Sequence, residues 1–276
     1  MTLGDVVLDV IVRLEEPLAP GGDVRAESRA GAGGQAANVA AWAAALGAQA
    51  RCVAKRGDDL AGELVARELA ERGVELAGPV AAGPTGVVVS VVHAGERSLA
   101  SDRGVAPSFA PEELEAGWLA GDVLHLSGYA LLREPIGATA LRAARLAREA
   151  GARVSVDVAA WTEVRRYGAE RFRELLGRLA PDVLFATEAE WALLGLEAPA
   201  ADPAPLAVLK RGARGCTILA PGFARDFPAV AGEAVDPTGA GDALAAGFLL
   251  GGSPDEAARR GLEAAARCVA TVGSLP

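Results

Sequence analysis

Beyond residue 120, short runs of β-branched and apolar residues alternate with longer helix-forming stretches, and this alternation constrains the fold more than any other feature of the chain. The runs VLHL at 123–126, VSVDV at 154–158, DVLF at 182–185 and PLAVLK at 205–210 read as strands. The intervening segments 135–150, 169–179 and 188–194 read as helices. A strand followed by a helix and then by another strand of the same sheet needs a crossover, so the strands run parallel and helices cover both faces. The expected fold class is α/β: a doubly wound, mainly parallel sheet flanked by helices.

The first third reads differently. VVLDVIVRL near the N-terminus and TGVVVSVVHAGERSLASD at 85–102 are extended segments without intervening helices, for which antiparallel pairing is expected. Between them lie two expected helices, 35–46 and 60–72, with Gly47 and Gly73 where helix-terminating glycines belong and QARCVAK as a strand. A chain of 276 residues, 51% hydrophobic and 23% charged, can bury one large core. The expectation is a single domain over 1–276 with a small β-sheet lid formed by strands within about 8–30 and 84–104. AAGP at 81–84 and APAADPAP at 198–205 read as loops.

Charge and cysteine usage exclude several functions. With 27 basic against 36 acidic residues the net charge is −9, which disfavours nucleic acid and anionic membrane as partners. Cys52, Cys216 and Cys268 are far apart and form no C-x-x-C, so neither a disulfide framework nor a zinc site is expected, and a reducing cytoplasm fits best. The opening MTLGDVVLDV has acids within its apolar stretch and no basic segment, unlike a secretory leader.

Two glycine clusters carry the chemistry. In AVDPTGAGDALAAGFLLGG, residues 234–252, Gly239, Ala240 and Gly241 stand just before an apolar helical run. Small residues allow close approach of a ligand, and a helix N-terminus offers unpaired N–H groups and a positive dipole end, which together suit an oxyanion. Asp242 there reads either as an N-terminal helix acid or as a functional carboxylate, and Asp236 with Pro237 as a turn. In AGAGGQAANVAAWAAALG, residues 30–47, Gly33 and Gly34 precede a helix carrying Asn38, whose amide both donates and accepts hydrogen bonds. Neither cluster has the Lys and Ser/Thr of a P-loop or the arrangement of a dinucleotide fingerprint.

Taken together, GGQAANVAAWAAALGAQARCVAKRGDDLAGELVARELAERGV and VDPTGAGDALAAGFL resemble the two signatures of the PfkB, or ribokinase-like, family of sugar and nucleoside kinases. GDVVLD at 4–9, TGVVVSVVHAGERS at 85–98, DVLHLSGY at 122–129 and LKRGARG at 209–215 agree with it in order. The resemblance implies a ribokinase-like fold with a β lid, use of ATP and Mg²⁺, and transfer of the γ-phosphoryl group to a hydroxymethyl of a sugar or nucleoside. Asp242 is implied as general base, with Gly239, Ala240 and Gly241 as the anion hole. Asp9, Gly33, Gly34 and Asn38 are implied for the acceptor, and Lys210, Gly212, Gly215 and Thr238 for the nucleotide. A monovalent cation near Asp236 and a homodimer through the lid are further implications.

The chain also departs from the family. Where N-x-x-E is usual after the strand at 182–185, the chain has TEAE, so Thr187 replaces Asn while Glu190 remains as the residue implied to order Mg²⁺. VDVAAW at 156–161 keeps Asp157 but lacks the Asn and Arg found in sugar-acid and ketose kinases, which points to a neutral acceptor. HLSGY, with DRGVAPS at 102–108, is similar to members acting on nucleosides, pseudouridine among them. The competing reading is a sugar- or nucleoside-sensing protein that keeps the fold, supported only by Thr187. His125 reads as a satisfied histidine at a strand end, and the four tryptophans as packing residues.

Overall fold

The computed structural model describes residues 1–94, 96–196 and 203–276, with the backbone alone at 96 and 97. In its first part, β1 (Thr2–Leu3), β2 (Val7–Leu14) and β3 (Ala26–Gly33) lead into α1 (Gln35–Ala45). Then follow β4 (Ala50–Val53), β5 (Arg56–Gly57), α2 (Leu60–Glu71), β6 (Val74–Ala77), β7 (Val80–Ala81), β8 (Thr85–His93) and β9 (Glu96–Gly104). The middle runs through β10 (Val123–Ser127), α3 (Gly128–Leu131), α4 (Ile136–Glu149), β11 (Arg153–Asp157), α5 (Trp161–Tyr167) and α6 (Ala169–Leu179). It continues as β12 (Val183–Thr187), α7 (Glu188–Leu193), β13 (Ala207–Lys210), β14 (Cys216–Ala220), β15 (Phe223–Phe227), α8 (Ala240–Leu249) and α9 (Pro254–Val269).

The larger sheet has the order β15-β14-β13-β12-β11-β10-β1-β4-β6. From β13 to β6 every neighbouring pair is parallel, as the crossovers require. β14 and β15 close one edge as an antiparallel extension that the alternation of strands and helices did not reveal. Successive residues of β12 show why the sheet is apolar throughout: Leu184 and Ala186 enter one buried core, whereas Val183 and Phe185 enter another. Helices supply the opposing layers, α4 and α6 on the first core and α1, α8 and α9 on the second.

The smaller sheet has the order β3-β2-β8-β9. β2–β3 and β8–β9 are antiparallel, as expected, but the central β2–β8 pair is parallel. Chain between β2 and β8 returns through α1 and α2, so the two hairpins meet with their first strands side by side. Part of the glycine-rich segment before α1 is strand: Gly31 and Gly33 lie in β3, and Gly34 forms the entry to α1. The loop expected at 198–205 falls mostly outside the described residues.

The strands β10, β11, β12 and β13 end in Ser127, Asp157, Thr187 and Lys210. These polar residues collect at the carboxyl ends of parallel strands, where open α/β sheets bind ligands.

Candidate functional site

The N-terminus of α8 dominates the site. Gly239 takes a φ of 79°, a left-handed conformation that turns the chain into the helix, and a Cβ there would lie 2.7 Å from Ser274 Cα. No side chain caps α8, so its first-turn N–H groups keep the unpaired character of a helix start. Asp242 stands in that first turn.

Asn38 reaches Asp242 from α1: its Nδ2 donates to Asp242 Oδ2 at 2.8 Å. Ser274 Oγ donates to Asn38 Oδ1 at 3.1 Å, and Trp42 Nε1 donates to the Ser274 carbonyl at 2.8 Å. Asn38, expected on the acceptor, is hydrogen-bonded here to the carboxylate and to the C-terminal segment. Burial pushes the Asp242 carboxyl up to about 7; the Asn38 hydrogen bond and Lys210 oppose the rise, and Asp157 adds to it. A carboxylate so tuned changes protonation near neutral pH.

Lys210, at the end of β13, lies beside this turn. Its Nζ donates to both oxygens of Asp157 at 2.7 Å, deep in the protein, with Asp157 fully buried. A Cβ on Gly241 would come within 3.3 Å of Lys210 Nζ, which places the ammonium against the start of α8. Burial pushes Asp157 up to about 6, partly offset by Lys210. Burial by itself would lower Lys210, yet Asp157, Glu190 and Asp242 together raise it. One ammonium therefore balances three acids around the uncapped helix end.

Glu190 is buried and already engaged. Its Oε2 accepts from the Thr187 N–H at 2.7 Å, and Thr187 Oγ1 accepts from the Glu190 N–H at 3.3 Å, a capping box on α7. The Thr that replaces the family's Asn thus has a structural use. Among the described residues no group of three or more His, Cys, Asp or Glu is arranged to hold a metal ion. Mg²⁺ bound with phosphates needs no such cage, since one or two carboxylates and water suffice; the hard oxygens of Glu190 and the backbone cradle of α8 fit that mode.

The acceptor candidates sit where β2 and β3 leave the main body. A Cβ on Gly33 would meet Asp9 Cβ at 2.7 Å, and one on Gly34, at φ 96°, would meet the Asp5 carbonyl at 2.4 Å, so both positions need glycine. A Cβ on Gly273 would lie 4.0 Å from Cδ1 of Ile11, two residues beyond Asp9 on the same face of β2. The segment holding Ser274 therefore runs near β2 as well as against the Asn38–Asp242 pair. Asp236 accepts from the Thr238 N–H at 2.9 Å and the Gly273 N–H at 3.1 Å, tying that segment to the approach of α8. Gly212 and Gly215 shape the β13–β14 turn, and a Cβ on Gly215 would collide with the Phe227 carbonyl.

Sequence reading missed Ser274, which lies in an unremarkable C-terminal run, and the ion pair that turns Lys210 inward. It also passed over Gln35 and Ser127, whose polar side-chain atoms are buried without a normal hydrogen bond. Gln35 carried a signal, a polar residue entering an otherwise Ala-rich helix directly after two glycines. His125 is buried in the middle of β10, not at its end; its Nδ1 lies 2.9 Å from Ser155 Oγ, and burial pushes its pKa down to about 3. It is a neutral core residue.

The chain is 36% identical to an ATP-dependent ribose-1-phosphate kinase of Halopiger xanaduensis, over 97% of this chain and 89% of that protein. It is 31% identical to a fructokinase of Escherichia coli, over 96% of this chain and 90% of that protein. The crystal structure of adenosine kinase from Sinorhizobium meliloti superposes with a TM-score of 0.86 at 26% identity, covering 100% of this chain and 94% of that one. The model of the pfkB family of carbohydrate kinases matches residues 1–275, and the chain belongs to that family.

Proposed function

We propose that this kinase moves the γ-phosphoryl group of ATP to a hydroxymethyl of a sugar or nucleoside, with Asp242 as general base. The observation that carries this reading is Asp242 itself: a carboxyl raised to about 7, held by Asn38, in the first turn of a helix with no side-chain cap. The base takes the proton of the attacking hydroxyl as the phosphoryl group arrives. The N–H groups at Gly239, Ala240 and Gly241 stabilise the charge on the phosphoryl oxygens, and Lys210, against Gly241, adds a cation. Mg²⁺, when bound with ATP, shields the phosphate charges. Glu190, close enough to act electrostatically on Lys210 and Asp157, orients the water around that ion.

Asp9, Gly33 and Gly34 form the acceptor side, the small sheet acting as its lid, while Thr238 and the 212–215 turn serve the nucleotide. Half-buried Val10, Val12, Val89 and Val91 share the opposite face of that sheet and suit a homodimer contact. Three free, buried cysteines accord with a reducing cytoplasm. The test is ADP release with Mg-ATP against ribose, ribose 1-phosphate, fructose, adenosine, cytidine, uridine and pseudouridine. Turnover of one acceptor supports the reading. Binding of an acceptor by calorimetry without any ADP release contradicts it and favours a sensor.

A further inference from the structure

A cavity of about 790 Å³ opens at the amino ends of β1, β10 and β11, the end of the main sheet opposite to that where Ser127, Asp157 and Lys210 collect. Small-molecule sites occupy roughly 300–1,000 Å³, so its size is that of a ligand site. Side chains alternate along a strand, and Leu124 and Leu126 of β10 enter the core under α4. Val123 and His125 therefore face the layer of α1 and α8, and both line the cavity. Val39 and Ala43 of α1 with Ala246 and Leu249 of α8 supply its apolar helix wall.

His125 is the polar group of the sheet wall, and it is 1% exposed. Its Nδ1 lies 2.9 Å from Ser155 Oγ, whereas Nε2, on the far edge of the ring, is buried with no hydrogen bond to a described residue. A buried polar atom without a partner is costly, and a ligand that hydrogen-bonds to it removes that cost. Burial, with Lys210 adding to it, holds the ring neutral, so Nε2 donates or accepts according to which nitrogen carries the proton. The rim carries both signs, Arg51 and Arg153 with Glu75 and Asp122. Arg51 is taken up by Glu75 and by the Gly117 and Trp118 carbonyls, and the Met1 ammonium donates to the Val123 carbonyl. Such a rim selects no ion.

The cavity also lies beneath the pair that holds the expected base. Val39 follows Asn38 on α1, and Ala246 stands four residues, about one turn, beyond Asp242 on α8. A molecule seated against both bears on the spacing of two helices whose first turns are joined by the 2.8 Å Asn38–Asp242 bond.

We propose that this cavity is a second ligand site, that it takes a small uncharged heteroaromatic molecule hydrogen-bonded to His125, and that its occupancy alters turnover at Asp242 through α1 and α8. A flat apolar ring packs against small helix side chains, and a ring with one N–H and one bare nitrogen serves His125 in either tautomer. The site lies outside the reaction proposed above, and binding there does not depend on phosphate transfer.

The probe is benzimidazole, uncharged at neutral pH, titrated by calorimetry into the full chain saturated with Mg-ADP so that the nucleotide site is closed to it. The expected result is one site per chain with a Kd of about 10 µM to 1 mM. Ala43→Leu fills the cavity from a half-buried position and weakens binding at least tenfold at an unchanged melting temperature. His125→Phe keeps a ring, loses both nitrogens and has the same effect; Ala43→Leu reports even if His125→Phe fails to fold. Absence of binding, or binding that Ala43→Leu leaves unchanged, overturns the site. At saturating benzimidazole, turnover of the best acceptor is expected to change at least twofold in the native chain and to stay constant in Ala43→Leu. The same change in both proteins, or none in either, overturns the coupling. A chain that binds benzimidazole in this way but releases no ADP with any acceptor keeps the site and sinks the kinase reading together with the coupling.

Discussion

Asn38 on α1 donates a 2.8 Å hydrogen bond to Asp242 on α8, joining the entries of two helices that lie 204 residues apart in sequence. An N–H aimed at a carboxylate favours its charged form, so this bond holds the base lower than burial alone would leave it. Replacing Asn38 by Leu removes that N–H, and the acidic limb of the kcat/KM profile, expected near pH 7 in the native chain, moves to higher pH. A pH series on Asn38→Leu that superposes on the native profile refutes the role given to this contact.

The same shift has a cost in stability. Asp242 is raised from 3.8 to about 7 and Asp157 from 3.8 to about 6, so the folded chain binds these protons more tightly than the unfolded chain. Their burial costs nothing well below pH 3.8, where both states are protonated; the cost grows as pH rises past 3.8 and is complete above about pH 7. Asp242→Asn therefore stabilises the protein at pH 8 by roughly 1–3 kcal/mol and much less at pH 4.5. Thermal melts of both proteins at the two values check the sign.

Lys210 and Asp157 are a buried pair, and removing one partner leaves the other uncompensated. Lys210→Met is expected to destabilise by about 3–5 kcal/mol. Adding Asp157→Asn recovers much of that loss, because no unpaired charge then remains. Urea unfolding of the two single variants and the double variant measures the coupling; additive losses count against it.

Glu190 caps α7 through Thr187 and also faces the Lys210 cluster. Glu190→Gln keeps the shape of the cap and removes the charge, so stability falls by no more than about 1 kcal/mol. The Mg²⁺ concentration for half-maximal rate rises several-fold. An unaltered Mg²⁺ titration assigns Glu190 to the cap alone.

The parallel sheet was legible because buried parallel strands are continuously apolar, as at DVLF, and because each is followed by a helix. β14 and β15 escaped because their hairpin follows β13 without a helix. The parallel β2–β8 pair was not legible, since nothing local distinguishes which strands of two hairpins will meet. In the site, Asp242 and its glycines were visible as a helix start, and Asp9 with Gly33 through family resemblance. The partners were not: Asn38 finds Asp242, and Lys210 finds Asp157, only through contacts long-range in sequence. Ser274 illustrates the same limit, a plain residue given a task by packing against Gly239 and Asn38.

The central claim is that Asp242 is the base of a phosphotransfer. The direct measurement is ADP release with Mg-ATP and the best acceptor, comparing the native chain with Asp242→Asn, with acceptor binding followed by calorimetry. The account predicts that the variant loses about 10²–10⁴ in kcat while binding the acceptor with a Kd within a few-fold of native. Native turnover in Asp242→Asn contradicts it.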